Sequence, residues 1–258
     1  MSTAERSSAN DITVNPIFMQ HLAAYEYASQ FTGDKIVLEL GCGEGYGTVL
    51  LAKSASKIFG IDYSKAAIDK AQKKYRADNI EFVCSDVNDL GFDDASFEVI
   101  IAFQFIEHLK DPRAVLLKIK SLLKPQGIFL LSSPNKKASI VQHPYHFREY
   151  DREELEGLLR NYFAKVEIYG LQFSARVAEF REKRRQASQG LARLDFLKLH
   201  QLLPRIIRQR LFDLAASGLS RKIYSENKDL LESITTADFR VAKDNLDNAI
   251  DLIGLCQG

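Results

Sequence analysis

Short apolar runs alternate with amphipathic stretches along the first half of the chain. Five runs are rich in β-branched and aromatic residues and predict buried strands: KIVLELG, KIFGID, IEFVCSD, FEVIIAF and IFLLSS. Segments between them, such as SKAAIDKAQKKYR and DPRAVLLKIKSLL, have the apolar spacing of helices, and an earlier helix is predicted over residues 17–31. This alternation predicts an α/β fold, with an open and mostly parallel sheet that is covered by helices on both faces.

The pattern changes beyond Pro134. A polar loop containing HPYHFREY precedes a helix, EELEGLLRNYF, and a sixth strand, VEIYGL. Residues 172–235 are polar with helical spacing, and the late run IDLIGLCQ predicts a seventh strand that closes the sheet. These patterns divide the chain into a flexible arm (1–15), a core (16–171), a helical and basic insertion or lid (172–245) and a last strand of the core (246–258).

The composition and charge of the chain disfavour several classes of protein. Of 258 residues, 35 are Lys or Arg and 34 are Asp or Glu, so a net charge of +1 gives no strong signal for nucleic-acid binding. No apolar run reaches the roughly 18 residues that a membrane-spanning helix needs, and the polar N-terminus has no apolar signal core. The three cysteines lack the spacing of a disulfide framework or a zinc site. Together these features predict a cytoplasmic protein.

A glycine-rich loop, ELGCGEGYG, begins at Glu39 and directly follows the first strand. Glycines allow positive φ and let a ligand approach the backbone closely, and the following helix presents free N–H groups to a ligand carboxylate. Neither Gly41 nor Gly43 has a glycine five positions later, so the loop lacks the dinucleotide-binding pattern. Glu44 would also repel a pyrophosphate. A nicotinamide-dependent dehydrogenase is therefore disfavoured.

Acidic residues end the next two strands. Asp62 ends the second strand roughly 20 residues after the loop, where a carboxylate can accept hydrogen bonds from both hydroxyls of a ribose. Asp86 follows the third strand, where it can accept from an adenine amino group. Because ligands of open α/β sheets bind beyond the carboxyl ends of the strands, we expect both carboxylates and the glycine loop to meet at one site.

Five segments in order, ELGCGEGYG, GIDYS, CSDVNDL, FEVIIAFQFIEHL and LLKPQGIFLLSSPN, resemble the class I S-adenosylmethionine-dependent methyltransferases. The resemblance covers residues 20–170 and lies within the broad type 11 group that includes ubiquinone- and glycan-biosynthesis enzymes. It implies a Rossmann-like, doubly wound, seven-stranded mixed sheet. In that fold the last strand is antiparallel, and a helical insertion separates strands six and seven.

The resemblance also implies S-adenosylmethionine as the cofactor. Its implied contacts lie on the loop and the strand ends, from the methionine part to the adenine and the pocket floor: Glu39, Gly41, Cys42, Gly43, Asp62, Tyr63, Asp86, Val87, Phe103 and Gln104. Tyr25, on the first helix, is implied to cover the cofactor. The residues alone leave simpler roles open, in which Glu39 only orients the loop and Asp86 only forms a turn.

Methyl transfer to a hydroxyl needs alignment of acceptor and methyl group, and it needs a base of near-neutral pKa. Histidine fits this requirement best. His108 follows the fourth strand and His146 follows the fifth, so these two residues are our catalytic candidates. The alternative is that His108 packs against the next helix and that His146 ties down a loop.

The segment HPYHFREY also supplies candidate substrate contacts, namely His143, Arg148 and Tyr150. It resembles segments of methyltransferases found with polysaccharide biosynthesis, which favours a glycan acceptor. The spacing His143-x-x-His146-x-x-Glu149 is weak evidence for a metal outside a regular helix, so we predict none.

Residues 176–222 contain twelve Lys or Arg against four Asp or Glu. Basic amphipathic helices can lie on anionic membrane surfaces, so residues 193–214 are a candidate for peripheral contact with the inner face of the membrane, where the acceptor would be lipid-linked. The alternative is a lid or a homodimer contact.

These observations predict a methyltransferase that modifies an oxygen of a small molecule, or of a glycan or lipid-linked precursor. Two alternatives stay open. One is a catalytically silent, methyltransferase-like partner protein, and the other is a methyltransferase of another acceptor class, such as a quinone or a nucleic acid. The fourth strand ends in AFQF, without the Asn/Asp-Pro-Pro-Tyr/Phe motif that many amino-methylating relatives carry.

Overall fold

Eight strands and seven helices alternate along the part of the chain that the computed structural model describes, which is residues 15–140, 143, 145–194, 218, 223 and 225–258. The strands are β1 (Ile36–Leu40), β2 (Lys57–Asp62), β3 (Ile80–Cys84), β4 (Phe97–Phe103), β5 (Leu123–Pro134), β6 (Lys165–Phe173), β7 (Phe239–Ala242) and β8 (Asp251–Gln257). The helices are α1 (Asn15–Ala28), α2 (Tyr46–Ala52), α3 (Lys65–Lys74), α4 (Arg113–Leu122), α5 (Arg152–Arg160), α6 (Ala175–Leu194) and α7 (Lys228–Ser233).

All eight strands belong to one sheet, in the order β3-β2-β1-β4-β5-β8-β6-β7. The first five strands run parallel, and β8 lies antiparallel between β5 and β6, with Asp251 opposite both Pro134 and Leu171. The predicted mixed, Rossmann-like sheet with an antiparallel last strand is confirmed.

The sheet has one strand more than the seven that we predicted. Strand β7 lies within residues 172–245, the range that we assigned to a helical insertion, and it pairs antiparallel with the edge of β6. It has only four residues, of which Phe239 alone is buried. A strand this short has too few residues to produce a recognisable alternating pattern.

The insertion is helical where α6 and α7 are described. The proposed membrane-contacting residues 193–214 lie outside the described residues from 195 onward, as do residues 1–14 of the predicted arm. Among the described residues, no helix combines the length and the apolar character needed to cross a membrane.

Two apolar layers cover the sheet, because successive strand residues point to opposite faces. Leu38 and Ile100 belong to the layer that contains α4 and α5. Val37 and Ile101, their immediate neighbours in sequence, belong to the layer that contains α1 and α2. Both faces of the central strands are therefore buried, which explains why their sequences are continuous apolar runs.

The layers leave one edge of the sheet open. The carboxyl ends of the parallel strands meet there, and the antiparallel direction of β8 brings its first residue, Asp251, to the same edge. The ends of six strands, namely the five parallel strands and β8, thus meet at a single rim.

Candidate active site

The glycine loop between β1 and α2 is held by the end of β2. Gly41 and Gly43 have φ values of 74° and 56°, which side chains disfavour. The amide groups of Gly41 and Cys42 donate to the carbonyl oxygen of Ile61, at 2.8 and 2.9 Å. A Cβ atom added at Gly43 would meet no atom within 4 Å, so the backbone at this position faces open space that a ligand can fill.

Glu39 lies beneath this loop and is fully buried. The hydroxyl of Tyr25 donates to Oε1 at 2.6 Å, and the hydroxyl of Thr48 donates to Oε2 at 2.5 Å. Burial raises the pKa of Glu39 to about 6, although both hydrogen bonds oppose that rise. The carboxylate therefore ties α1 and α2 to the loop, which is the simpler of the two roles that the sequence left open. Its predicted contact with the cofactor stays a prediction.

Asp62 links the loop to the end of β2. Its Oδ2 accepts from the amide of Gly43 at 3.0 Å, and its Oδ1 accepts from the amide of Ser64 at 2.8 Å. Only 3% of the residue is exposed. Each carboxylate oxygen has a second lone pair, so the group can still accept from the hydroxyls of a ligand.

Two cavities open at this rim and share Gly41 and Asp62. The inner cavity has a volume of about 70 Å³. It is lined by His21, Ala24, Tyr25, Gly41, Cys42, Gly43, Glu44, Tyr46, Asp62, Phe103, Gln104, Ser132 and Asp251. The outer cavity has a volume of about 390 Å³. It is lined by Leu40, Gly41, Ile61, Asp62, Tyr63, Ser85, Asp86, Val87, Asn88, Phe105, His108, Leu109, Tyr145 and Phe147.

The predicted cofactor contacts divide between these cavities along the length of the ligand. Of the residues assigned to the methionine part and the pocket floor, Glu39 lines neither cavity and the others line the inner one. Tyr63, Asp86 and Val87 line the outer cavity. Asp62 stands at the junction, where the ribose of an extended nucleoside would lie. An aminoacyl nucleoside such as S-adenosylmethionine fits this arrangement of a glycine cradle, a central carboxylate and an outer pocket.

Comparison with known proteins agrees with this geometry. A family model described as a methyltransferase domain matches residues 32–156. The chain contains a class I S-adenosylmethionine-dependent methyltransferase domain. The matched range covers the loop, both acidic strand ends and the segment HPYHFREY, so the candidate site lies almost entirely within the methyltransferase domain.

Curated relatives share this domain. One, from Mycolicibacterium smegmatis, bears the name "Probable S-adenosylmethionine-dependent methyltransferase/" and is 33% identical over 64% of this chain and 65% of its own length. A "Ubiquinone biosynthesis O-methyltransferase" from Coxiella burnetii is 30% identical over 48% of this chain and 52% of its own. The chain thus spans less than two thirds of the length of these relatives.

Solved structures share the fold. A Thermotoga maritima S-adenosylmethionine-dependent methyltransferase has a TM-score of 0.57 at 15% identity, covering 93% of this chain and 91% of that one. The [4+2]-cyclase SpnF also has a TM-score of 0.57, at 19% identity, covering 92% of this chain and 80% of its own. S-adenosylmethionine is the cofactor of this methyltransferase class.

The histidines of the methyltransferase domain lie close together beside the outer cavity. His108 ends a short 3-10 helix after β4, and its ring centroid lies 5.1 Å from that of His146. The ring of His143 lies 4.7 Å from His146. Two backbone hydrogen bonds produce this arrangement, because the amides of Phe147 and Arg148 donate to the carbonyl oxygen of Glu107 at 2.8 and 3.4 Å.

Glu149 orients His146. The Nδ1 atom of His146 lies 2.8 Å from Oε1 of Glu149, whose Oε2 accepts from Ser139 at 2.5 Å. Burial acts to raise the pKa of Glu149, but the bonds from His146 and Ser139 outweigh it and the pKa is lowered. A charged Glu149 fixes a proton on Nδ1 and leaves Nε2 available as a base or a ligand.

Arg148 and Tyr150, two of the candidate substrate contacts, serve the start of α5. Arg148 donates to Glu154 at 3.1 Å and lies over the ring of Tyr150, which is buried. Asp151 and Glu154 form the reciprocal capping box of α5. Within HPYHFREY, the aromatic side chains that line the outer cavity are instead Tyr145 and Phe147. Sequence reasoning missed both.

Sequence reasoning also missed two buried carboxylates. Asp251 lines the inner cavity and accepts from Nε2 of Gln20 at 2.6 Å, and burial raises its pKa to about 6. Glu107 is fully buried, and neither of its carboxylate oxygens has a hydrogen-bond partner among the described residues. Burial raises the pKa of Glu107 well above its ordinary value. Asp251 precedes an apolar strand, but nothing near it in the sequence indicates its contact with Gln20.

Proposed function

We propose that this protein transfers a methyl group from S-adenosylmethionine to a hydroxyl oxygen of a small-molecule acceptor, with glycan precursors as the favoured class. The observation that carries the proposal is the position of His108 in the same cavity as Asp62 and Asp86. A proton-accepting group and the groups expected to bind the nucleoside therefore share one chamber.

The cofactor supplies an electrophilic methyl group on a sulfonium sulfur. Residues of the chain bind the cofactor, orient the acceptor and accept the proton of its hydroxyl. Asp62 and the glycine loop would hold the cofactor, so that an acceptor beside His108 in the outer cavity would be aligned with its methyl group. Tyr145 and Phe147 line that cavity with aromatic surface, against which an acceptor can pack.

The acceptor hydroxyl loses its proton as its oxygen forms the new bond to carbon. We assign the acceptance of that proton to the histidine cluster, because Glu149 holds Nδ1 of His146 protonated and stabilises any positive charge on the ring. An oxygen acceptor is also consistent with the name of the Coxiella burnetii relative, which is an O-methyltransferase. The glycan class rests on the resemblance of HPYHFREY to methyltransferases of polysaccharide biosynthesis.

The test is a methyl-transfer assay with labelled S-adenosylmethionine against hydroxylated acceptors, including sugar nucleotides, polyprenol-linked sugars and catechols, with amine acceptors as the comparison set. We expect an O-methylated product and a loss of about 10²–10⁴-fold in kcat for His146→Ala. Exclusive N-methylation would contradict the proposal. Binding of S-adenosylhomocysteine without transfer to any acceptor would favour the silent partner protein.

A further inference from the structure

Asp251 is an acidic residue of the inner cavity that so far has no role in ligand binding. It is the first residue of β8, and it lines the cavity together with Gly41 and Gly43 of the glycine loop. Only 2% of the residue is exposed. The methionine part of S-adenosylmethionine is expected in this cavity, and it carries a positively charged α-ammonium group. A carboxylate is the natural partner of such a group, because hydrogen bonds between opposite charges are the strong ones.

The side chains that hold Asp251 in place are neutral. Nε2 of Gln20 donates to Oδ2 of Asp251 at 2.6 Å. Burial raises the pKa of Asp251 to about 6, against the opposing effect of hydrogen bonds from Gln20 and Gln104. The carboxylate is therefore mostly ionised at pH 7. Its two oxygens offer about four acceptor positions, so two amide donors leave room for a donor from a ligand.

The protein supplies little positive charge to the inner cavity. Arg181 of α6 is the cation that acts on Asp251, but its guanidinium donates to the carbonyl oxygen of Ala138 at 2.6 Å. Among the described residues that line the cavity there is no Lys or Arg. Burial lowers the pKa of His21, which also lines the cavity, to about 4, so this ring is neutral at pH 7. A cationic ligand group would supply the charge that a buried carboxylate requires.

The other two acidic residues that line the inner cavity already have partners. Glu44 makes an ion pair with Lys70 at 2.7 Å. Asp62 accepts from two backbone amide groups and lies at the junction of the cavities, where the ribose is expected. Asp251 is the acidic residue that remains for the ammonium group.

We propose that Asp251 binds the α-ammonium group of S-adenosylmethionine and is a cofactor-binding residue supplied by the antiparallel last strand. Gln20 on α1 and Gln104 after β4 orient its carboxylate. Strand β8 then does more than complete the sheet, because its first side chain contributes to the cofactor site. The inference concerns the cofactor alone and does not depend on the identity of the acceptor.

The test is calorimetric titration of the full chain, without any acceptor, with two ligands. One is S-adenosylhomocysteine, and the other is its analogue in which hydrogen replaces the α-amino group. We expect wild type to bind the analogue about 10–100-fold more weakly, since a hydrogen bond between charged groups is lost. Asp251→Asn should bind S-adenosylhomocysteine more weakly by a similar factor, and its affinity for the analogue should equal that of wild type.

Three outcomes would overturn the proposal. The first is equal binding of S-adenosylhomocysteine by Asp251→Asn and wild type. The second is an equal loss of affinity for both ligands, which would mean that Asp251 shapes the cavity without pairing with the ammonium group. The third is a loss selective for S-adenosylhomocysteine in Glu44→Gln but not in Asp251→Asn, which would assign the ammonium group to Glu44.

Asp247→Asn is the matched control, because Asp247 is exposed and paired with Lys137. Its affinity for both ligands should equal that of wild type. If Asp251→Asn does not fold, Asp251→Ser replaces it, because serine removes the charge and keeps an oxygen that can accept from Gln20. No titration contains an acceptor, so a failure to find a methylated product would refute the proposed function and leave this result standing.

Discussion

At the scale of single residues, the clearest prediction concerns cofactor binding by Asp62. Its carboxylate holds the loop through the amide of Gly43 and faces the junction of both cavities. Hydrogen bonds to a charged group contribute about 1.5–3 kcal/mol. We therefore expect Asp62→Asn to weaken binding of S-adenosylhomocysteine by about 10–100-fold in calorimetric titration.

The control for this prediction is Asp69→Asn, because Asp69 makes only an exposed ion pair with Lys65 on the surface of α3. The affinity of the Asp69→Asn variant for S-adenosylhomocysteine should equal that of the wild type. Equal binding by the Asp62 variant would show that the ribose is held elsewhere.

The raised pKa of Asp251 predicts that the free energy of unfolding depends on pH. Burial raises its pKa from 3.8 to about 6, so the folded protein holds this proton more tightly than the unfolded chain does. The contribution of protonated Asp251 to the free energy of unfolding is fully present below pH 3.8, and it is lost as the pH rises towards 6. Removing the charge in Asp251→Asn should therefore stabilise the protein at pH 7 by ~3 kcal/mol, as measured by urea unfolding.

The same measurement at pH 4 should show little difference between Asp251→Asn and wild type. Asp247→Asn is the control, because its carboxylate is exposed and paired with Lys137. A variant that is less stable than wild type at pH 7 would mean that the Gln20 hydrogen bond outweighs the cost of burial.

Residues near one another in sequence were predictable, and residues brought together by the fold were not. The glycine loop and Asp62 were identified because each follows a strand in a recognisable order. Glu107 lies between the polar residues Gln104 and His108, so its complete burial has no sign in the sequence. Asp251 contacts Gln20 across 231 positions, a distance at which the sequence carries no local signal.

At the scale of elements, the N-terminal cap of α5 allows a prediction of stability. The helix directly follows the segment that contains His146. Asp151 accepts from the amide of Glu154 at 2.9 Å, and Glu154 accepts from the amide of Asp151 at 3.2 Å. Replacing an N-cap residue by alanine costs about 1 kcal/mol. We expect Asp151→Ala to lower the free energy of unfolding by that amount, as measured by urea denaturation.

Arg152→Ala is the matched control for the cap. Arg152 makes an exposed ion pair with Glu156, and such pairs contribute less than about 0.5 kcal/mol. Equal losses in the two variants would show that the capping box adds nothing beyond surface charge.

The strands and helices differ in how well the sequence revealed them. Strands β1, β4 and β5 were predicted because central strands covered on both faces are rich in apolar residues. Strand β3 lies at the edge of the sheet, and its β-branched and aromatic residues made it recognisable. Strand β7 escaped prediction, since it is a four-residue edge strand whose only buried member is Phe239. Its formation depends on the edge offered by β6 rather than on a pattern of its own.

At the scale of the whole molecule, ligand binding should reveal the cofactor class. A ligand that binds only the folded state, at 100 times its dissociation constant, stabilises the protein by about 2.7 kcal/mol. We expect S-adenosylhomocysteine to produce this shift in thermal unfolding, and NAD to produce none, because the loop lacks the dinucleotide pattern. A shift with NAD alone would contradict the assignment of the site.

The position of β8 has a consequence for how the protein acquires its fold. This strand is synthesised after β6 and β7, but it lies between β5 and β6 in the sheet. Until β8 inserts, β5 and β6 each present an unpaired edge, and the gap between them is one strand wide. Such edges are prone to pair with other chains. A nascent chain that has completed β6 therefore depends on a later strand for both protection from aggregation and delivery of Asp251 to the rim.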